Sequence, residues 1–299
     1  MMRAFTIHAE GEFSLRESAL FGFGQRDAAL DYDGAMRLAF CLDGSYEQQV
    51  GVVVRQQGQD VLGEVHGAGS LDAVRAQVAR VLSLDHDGND FTLIGRNDPV
   101  LRRLQLAAPG LRPPLFHSPY ESAAWAVLSA RRSQRQAAMV RAALSAAAGR
   151  RFVLAGQALA ALPTPSALLK LGAFPGIEAE RLERLYGVAR AAADGLLSVP
   201  QLIALGPDDA IAQLQTIKGI GPFYAALIVT RSLGLTDVLP RDEPRLLEQV
   251  GQLYSFGRPA TPDQLEQLAE AWRPWRTWAA VYLRAVGPRL RRLTTPLSA

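Results

Sequence analysis

The sequence predicts an α+β protein in which an N-terminal antiparallel sheet lobe with helices is followed by an all-α bundle. Three observations carry that prediction. Short apolar and β-branched runs, separated by polar or Gly-containing segments, fill the chain to about Asp90. Beyond Asn97 the chain becomes rich in Ala and Leu, broken by Pro and Gly at intervals that suit helices with short connections. From Leu214 to Asp242 runs LQTIKGIGPFYAALIVTRSLGLTDVLPRD, in which one helix ends near Thr216, the turn Ile217-Lys218-Gly219-Ile220-Gly221 reverses the chain, and a second helix opens at Pro222.

In order along the chain, residues 13–20, 36–42, 49–55 and 61–65 are expected as strands. Ser70 follows as an N-cap, with Leu71, Val74, Val78, Val81 and Leu82 on one helical face. Two motifs here do not hold up. Gly67-Ala68-Gly69 lacks the third glycine and the βαβ setting of a dinucleotide fingerprint, and the acidic run Asp85, Asp87, Asn89, Asp90 has Arg96 where a calcium loop needs Glu. Both read as turn chemistry. The Pro-rich segment 109–119 leads into the helical part, dividing the chain into 1–108 and 109–299. Helices are then expected from Ser118 through Trp125 and Leu128, and over 134–148, 165–171, 178–194, 199–205, 243–250, 262–271 and 275–286.

At 299 residues, 48% hydrophobic and 20% charged, the composition is that of an ordinary globular protein of one or two domains. No signal peptide and no run of 18 apolar residues is found, so the cytoplasm is expected and a membrane partner is not. A lone cysteine, Cys41, excludes an internal disulfide and any Cys-based zinc or iron-sulfur cluster. The net charge of +3 says little about partners, but its distribution says more. No acidic residue occurs from Ser122 to Ile177, where Arg131, Arg132, Arg135, Arg141, Arg150, Arg151 and Lys170 lie, and six arginines follow Glu270 with no further acid. Clusters of that kind fit either a phosphate-backbone partner or a solvated Arg-rich surface.

The Gly219 to Pro222 turn at a helix start exposes backbone N–H groups suited to a phosphate. This segment, with Leu239, Pro240 and Asp242 about 20 residues on, closely resembles the helix-hairpin-helix element of a DNA glycosylase superfamily. PGLRPP (109–114), SPYESAAWAVLS (118–129), ALPTP (161–165) and AWRPWRTWAAVYL (271–283) extend the resemblance to the bacterial 3-methyladenine DNA glycosylase II (AlkA-like) family over nearly the whole chain. The resemblance implies a monomeric, nucleoid-associated base-excision enzyme acting on double-stranded DNA with a damaged base.

It further implies that Lys218, Gly219, Ile220, Gly221 and Pro222 grip a backbone phosphate. No cofactor is required, though a monovalent cation at the carbonyls of Ile217 and Gly219 belongs to the family pattern. Asp242 is the catalytic candidate, a carboxylate to stabilise positive charge on the deoxyribose and help place water. Its place before Glu243-Pro244 puts it at a helix start, whose amides favour the charged form; capping that helix is the alternative duty, and Glu243 is the second carboxylate candidate. Phe223, Tyr224, Trp125, Trp278 and Tyr282 are candidate pocket walls for a cationic base, with core packing the alternative for each. The Schiff-base lysine of backbone-cleaving relatives is replaced by Phe223, so a monofunctional enzyme is expected.

Three departures from the family pattern bear on specificity. Ala130-Arg131-Arg132 replaces a Gln and an apolar wedge, leaving Arg131 to fill the stack or, with Arg132, to bind phosphate. Phe223 replaces a Trp, and Arg284 stands where a Trp would follow Tyr282-Leu283. A cation there repels a cationic base unless it is paired or turned away. Two alternatives therefore stand beside the alkylpurine reading: a glycosylase for a neutral lesion such as hypoxanthine, and a DNA-binding protein without activity.

Overall fold

The computed structural model describes residues 3–21 and 32–294. Strands β1 (Arg3–His8), β2 (Met36–Cys41), β3 (Gln49–Gln57) and β4 (Asp60–His66) form an antiparallel sheet in the order β1-β4-β3-β2. β1 was not expected; it turns Phe5 and Ile7 inward and pairs with β4 from Arg3–Val65 to His8–Asp60. Residues 13–20, expected as a strand, instead contain helix α1 (Leu15–Phe21). Its buried Leu15, Ser18 and Phe21 recur every three residues, and the Ser14 hydroxyl accepts from Glu17 N–H at 3.2 Å, as at a helix start.

Ser70 caps α2 (Leu71–Val81) by accepting from Ala73 N–H, and α2 lays Val74 and Val78 on the sheet core. The intervening Gly67-Ala68-Gly69 is a turn whose Gly67 carbonyl accepts from Arg3 at 2.9 Å. In the acidic run, Asp87 caps α3 (Gly88–Asn97); Asp98 then caps α4 (Pro99–Ala107), so both serve turn and helix-start chemistry.

The helical part comprises α5 (Pro119–Ser129), α6 (Gln134–Ala148), α7 (Pro165–Leu169), α8 (Ala179–Ala193), α9 (Val199–Leu205), α10 (Pro207–Gln215), α11 (Pro222–Ser232), α12 (Pro244–Leu253), α13 (Pro262–Ala269), α14 (Arg276–Ala285) and α15 (Gly287–Thr294). One hairpin interrupts this otherwise helical region, β5 (Arg151–Leu154) with β6 (Gln157–Ala160). Its turn holds Ala155 at φ +44° and Gly156 at φ +79°, and its Phe152 and Leu154 pack on Ala39 and Val53 of the main sheet. The sheet face left open by α2 is thereby covered.

Two helical cores result. One gathers α5 with α8 to α11, while the other joins Phe91, Leu101 and Leu104 of α3 and α4 to Leu246, Val250, Trp278 and Leu283 of α12 and α14. Residues on the N-terminal side of 108/109 thus share a core with the last helices. Between lobe and bundle, Glu121 is 1% exposed and accepts from Cys41 N–H at 3.2 Å, while pairing with Arg141 at 2.7 Å and His117 at 3.0 Å.

Burial opposes ionisation of Glu121, but the charges and hydrogen bonds of His117 and Arg141 win and hold its carboxyl below the ordinary glutamate value. Such a group contributes stability above its unfolded pKa, about 4.3, that is lost as pH falls through the lower folded value. Glu121→Gln therefore flattens the acid limb of stability, read as urea midpoints across pH 3 to about 6. An unchanged acid limb would remove Glu121 as its source. The neighbouring Cys41 thiol is buried and pushed well up, first by burial and then by Glu121, so it has no nucleophilic character.

Candidate active site and nucleic-acid interface

α10 and α11 form the hairpin element that the sequence marked. Ile217 and Ile220, 5% and 3% exposed, anchor the turn in the core, and Ile220 N–H donates to Ile217 O at 2.9 Å. Gly219 makes the reversal at φ +100°, a conformation that disfavours a side chain. A Cβ there would also stand 2.9 Å from Arg184 Cδ on α8. Gly221 differs: it is the N-cap of α11 at φ −86°, and a Cβ on it would meet nothing within 4 Å. Pro222 sets the first helical turn, and no side chain caps α11. The result is an open helix N-terminus beside exposed Lys218.

Past α11, the connection to α12 is clamped to the start of α14. Thr277 Oγ1 donates to Val238 O at 2.9 Å and accepts from Val238 N–H at 2.8 Å, and Arg276 pairs with Asp237 at 2.6 Å. The motif AWRPWRTWAAVYL therefore includes a clamp on the segment that carries Asp242. Asp242 sits in the turn where Glu243 N–H donates to Pro240 O at 3.2 Å. Its carboxylate is 79% exposed, with Arg241 Nε 3.9 Å away.

The capping duty given as the alternative for Asp242 falls to Glu243, whose carboxylate accepts from Leu246 N–H at 2.6 Å as the N-cap of α12. Asp242 lies one residue outside the cap. The amides of α12 are engaged by its neighbour, and Asp242 is left open.

Arg284 does not stand as an isolated cation. Its Nε pairs with Glu243 Oε2 at 2.8 Å, beside Asp242 in sequence. Arg231 lies close by; burial first and the Arg284 charge second push its guanidinium down to about 9. The aromatic candidates separate into two groups. Phe223 is 54% exposed at the start of α11 and meets Tyr224 edge-on at 5.3 Å; the Tyr224 hydroxyl lies 3.2 Å from Ser129 Oγ at the end of α5. Trp125, one turn before Ser129 on α5, is half-buried.

Trp278 and Tyr282, by contrast, are each 3% exposed in a cluster with Phe91 and Trp275, and the Tyr282 hydroxyl donates to Leu111 O. They have no surface to offer a base. Arg131 is exposed at φ +56° in the turn after α5, whereas Arg132 is 13% exposed and bound to Glu178 at 2.7 Å. The residues that order this turn, Arg181 and Glu178, and those that clamp the Asp242 segment, Asp237 and Thr277, were not singled out from sequence. On a helix, Glu178 and Arg181 look like an ordinary surface pair.

Among the described residues no group of three or more His, Cys, Asp or Glu could hold a metal ion, and no helix is long and apolar enough to cross a membrane. No family model matches the chain. Curated relatives do. The chain is 26% identical over 204 residues to a DNA-3-methyladenine glycosylase of Bacillus subtilis, the match covering 67% of each chain. It is 31% identical over 192 residues to DNA-3-methyladenine glycosylase 2 of Escherichia coli, covering 62% of this chain and 63% of that one. About two thirds of each relative's length is therefore spanned.

Among solved structures, a 3-methyladenine DNA-glycosylase from Archaeoglobus fulgidus superposes with TM-score 0.78 at 20% identity, covering 96% of this chain and 99% of that one. An 8-oxoguanine glycosylase/lyase of Clostridium acetobutylicum in complex with double-stranded DNA gives TM-score 0.67 at 16% identity, covering 97% and 98%. These two establish likeness of fold.

Proposed function

We propose that the chain is an AlkA-like 3-methyladenine DNA glycosylase of the helix-hairpin-helix superfamily, and that it excises an alkylated purine, such as 3-methyladenine, from duplex DNA and leaves an abasic site. The observation that carries this reading is the open carboxylate of Asp242, free of capping duty and set on a clamped segment after the hairpin.

A base inside a duplex is out of reach, so the enzyme grips the backbone, fills the gap in the stack and takes the base out. The uncapped amides at the start of α11, with Lys218, hold a phosphate. Among the described residues Gly219 O accepts no hydrogen bond and Ile217 O accepts one, which leaves lone pairs for a monovalent cation between hairpin and phosphate. Arg131 fills the vacated position in the stack, and Phe223, Tyr224 and Trp125 offer faces to the extruded base. As the glycosidic bond breaks, Asp242 stabilises the developing sugar cation and orients water. A base made cationic by alkylation leaves neutral and needs no dedicated general acid. With Phe223 at the Schiff-base position and Lys218 ahead of the turn, reaction ends at the abasic site. The protein works as a monomer in the cytoplasm, on the nucleoid.

A second reading, a neutral oxopurine such as hypoxanthine, draws on Arg284. Glu243 occupies its Nε, and among the described residues its Nη groups have no partner, so they match a purine O6 and N7 edge. Single-turnover base release from duplexes carrying 3-methyladenine, 7-methylguanine or hypoxanthine separates the two. Release from none, with duplex binding intact, would leave a DNA-binding protein without this activity.

The hairpin makes its own prediction. At Gly221 a Cβ meets nothing and φ is ordinary, so Gly221→Val lowers the melting temperature only by the loss of a favoured N-cap residue, while its methyl groups crowd the helix end proposed to hold the phosphate. Loss of charge-assisted amide contacts raises the Kd for duplex roughly tenfold or more in a filter-binding or anisotropy titration. An unchanged Kd would remove the phosphate from this helix end.

A further inference from the structure

α8 links the two groups that act on the DNA backbone and stack. Its Arg184 lies beneath Gly219 of the hairpin. One turn earlier, Arg181 reaches the end of α5. Its Nη1 donates to the carbonyls of Val127 and, at 3.3 Å, Leu128, and its Nη2 donates to Ala130 O at 3.1 Å. Carbonyls at a helix end have no partner within the helix, so one guanidinium serves three of them. Glu178 pairs with Arg181 at 3.0 Å and with Arg132 at 2.7 Å, and Arg132 also donates to Gly176 O at 2.8 Å.

Arg131 is thus bracketed. The carbonyl before it is held by Arg181 and the side chain after it by Glu178. Between them Arg131 takes φ +56°, is exposed, and has no hydrogen bond or ion pair among the described residues. A left-handed non-glycine residue is strained and persists where its surroundings over-determine it. A side chain presented on a fixed turn also loses less conformational freedom on entering a base stack than one on a loose loop.

We propose that Arg181 is a positioning residue for base extrusion. By capping α5 it locks the Arg131 turn at a set distance from the phosphate-gripping hairpin, with α8 as the common strut. The guanidinium of Arg131 then meets the base stack when the hairpin holds the backbone. This rests on the reading of Arg131 as the group that fills the stack.

The test measures extrusion without chemistry, in the Asp242→Asn background, by fluorescence of 2-aminopurine placed beside hypoxanthine in a duplex. Arg131→Ala and Arg181→Ala each lower the extruded fraction about tenfold, in line with the cost of slight misplacement, while Arg181→Ala leaves duplex affinity within about twofold. The double variant extrudes no less than Arg131→Ala alone, because Arg181 acts through Arg131. Arg181→Lys, able to reach part of the carbonyl set, recovers part of the loss. A normal extruded fraction in Arg181→Ala alongside a deficient Arg131→Ala overturns the positioning role and leaves the stack-filling role standing. No effect of Arg131→Ala overturns both. Should Arg181→Ala not fold, Glu178→Gln at its exposed partner gives a partial loss if the turn is held as proposed, and no loss if it is not.

Discussion

Asp242→Asn lowers single-turnover base release by about 10²–10³-fold, the scale of removing one electrostatic stabiliser from a transition state, and leaves duplex affinity nearly unchanged. The expectation follows from what Asp242 does not do in the fold. Its carboxylate is 79% exposed, and Glu243 makes the α12 cap. In the proposed mechanism asparagine removes the charge that answers the sugar cation while keeping shape, so stability should not move. Glu243→Gln is the contrasting variant. It weakens the cap and frees Arg284, so it lowers the melting temperature as well as altering base preference. If Asp242→Asn retains near-parent release while Glu243→Gln abolishes it, the catalytic carboxylate has been misassigned.

Asp98→Ala costs about 3–5 kcal/mol of stability, the combined scale of a lost cap and two stranded donors. One Asp98 oxygen accepts from Val100 and Leu101 N–H at 2.9 and 3.1 Å, capping α4. The other accepts from Tyr254 hydroxyl at 2.6 Å and from Trp272 indole N–H at 2.9 Å. Trp272 is fully buried, so its N–H has no water to turn to. Asp98→Asn recovers only part of the loss, since its amide group aims N–H at one set of donors. Urea unfolding at constant pH reads the difference, and a change below about 1 kcal/mol for Asp98→Ala would show that α4 is held to the last helices by apolar packing alone.

The hairpin was legible because its chemistry is local. Two glycines, a proline and Asp242 at one spacing specify a turn, a helix start and a carboxylate without reference to the rest of the chain. Helix starts were legible for the same reason: Ser70 caps α2 as expected, and the helix expected from Ser118 opens at Pro119 with Ser118 as its cap. Errors came where distant packing decides. Residues 13–20 resemble a strand by composition, but burial of Leu15, Ser18 and Phe21 selects the helical period. The β5–β6 hairpin carries Ala155-Gly156 in place of a strong Asn-Gly turn, and it exists to cover Ala39 and Val53.

By itself the sequence determined the α+β class, the hairpin element, the placement of Asp242 after it and the family resemblance, all readable from short spacings and local backbone preferences. Only the tertiary structure decided which carboxylate caps α12, which aromatics stay open, how Arg284 is neutralised and what holds the Arg131 turn. Those outcomes depend on residues far apart in the chain, such as Arg181 with Ala130, Arg284 with Glu243, and Asp98 with Trp272. Periodicity in one segment carries no information about a side chain arriving from another.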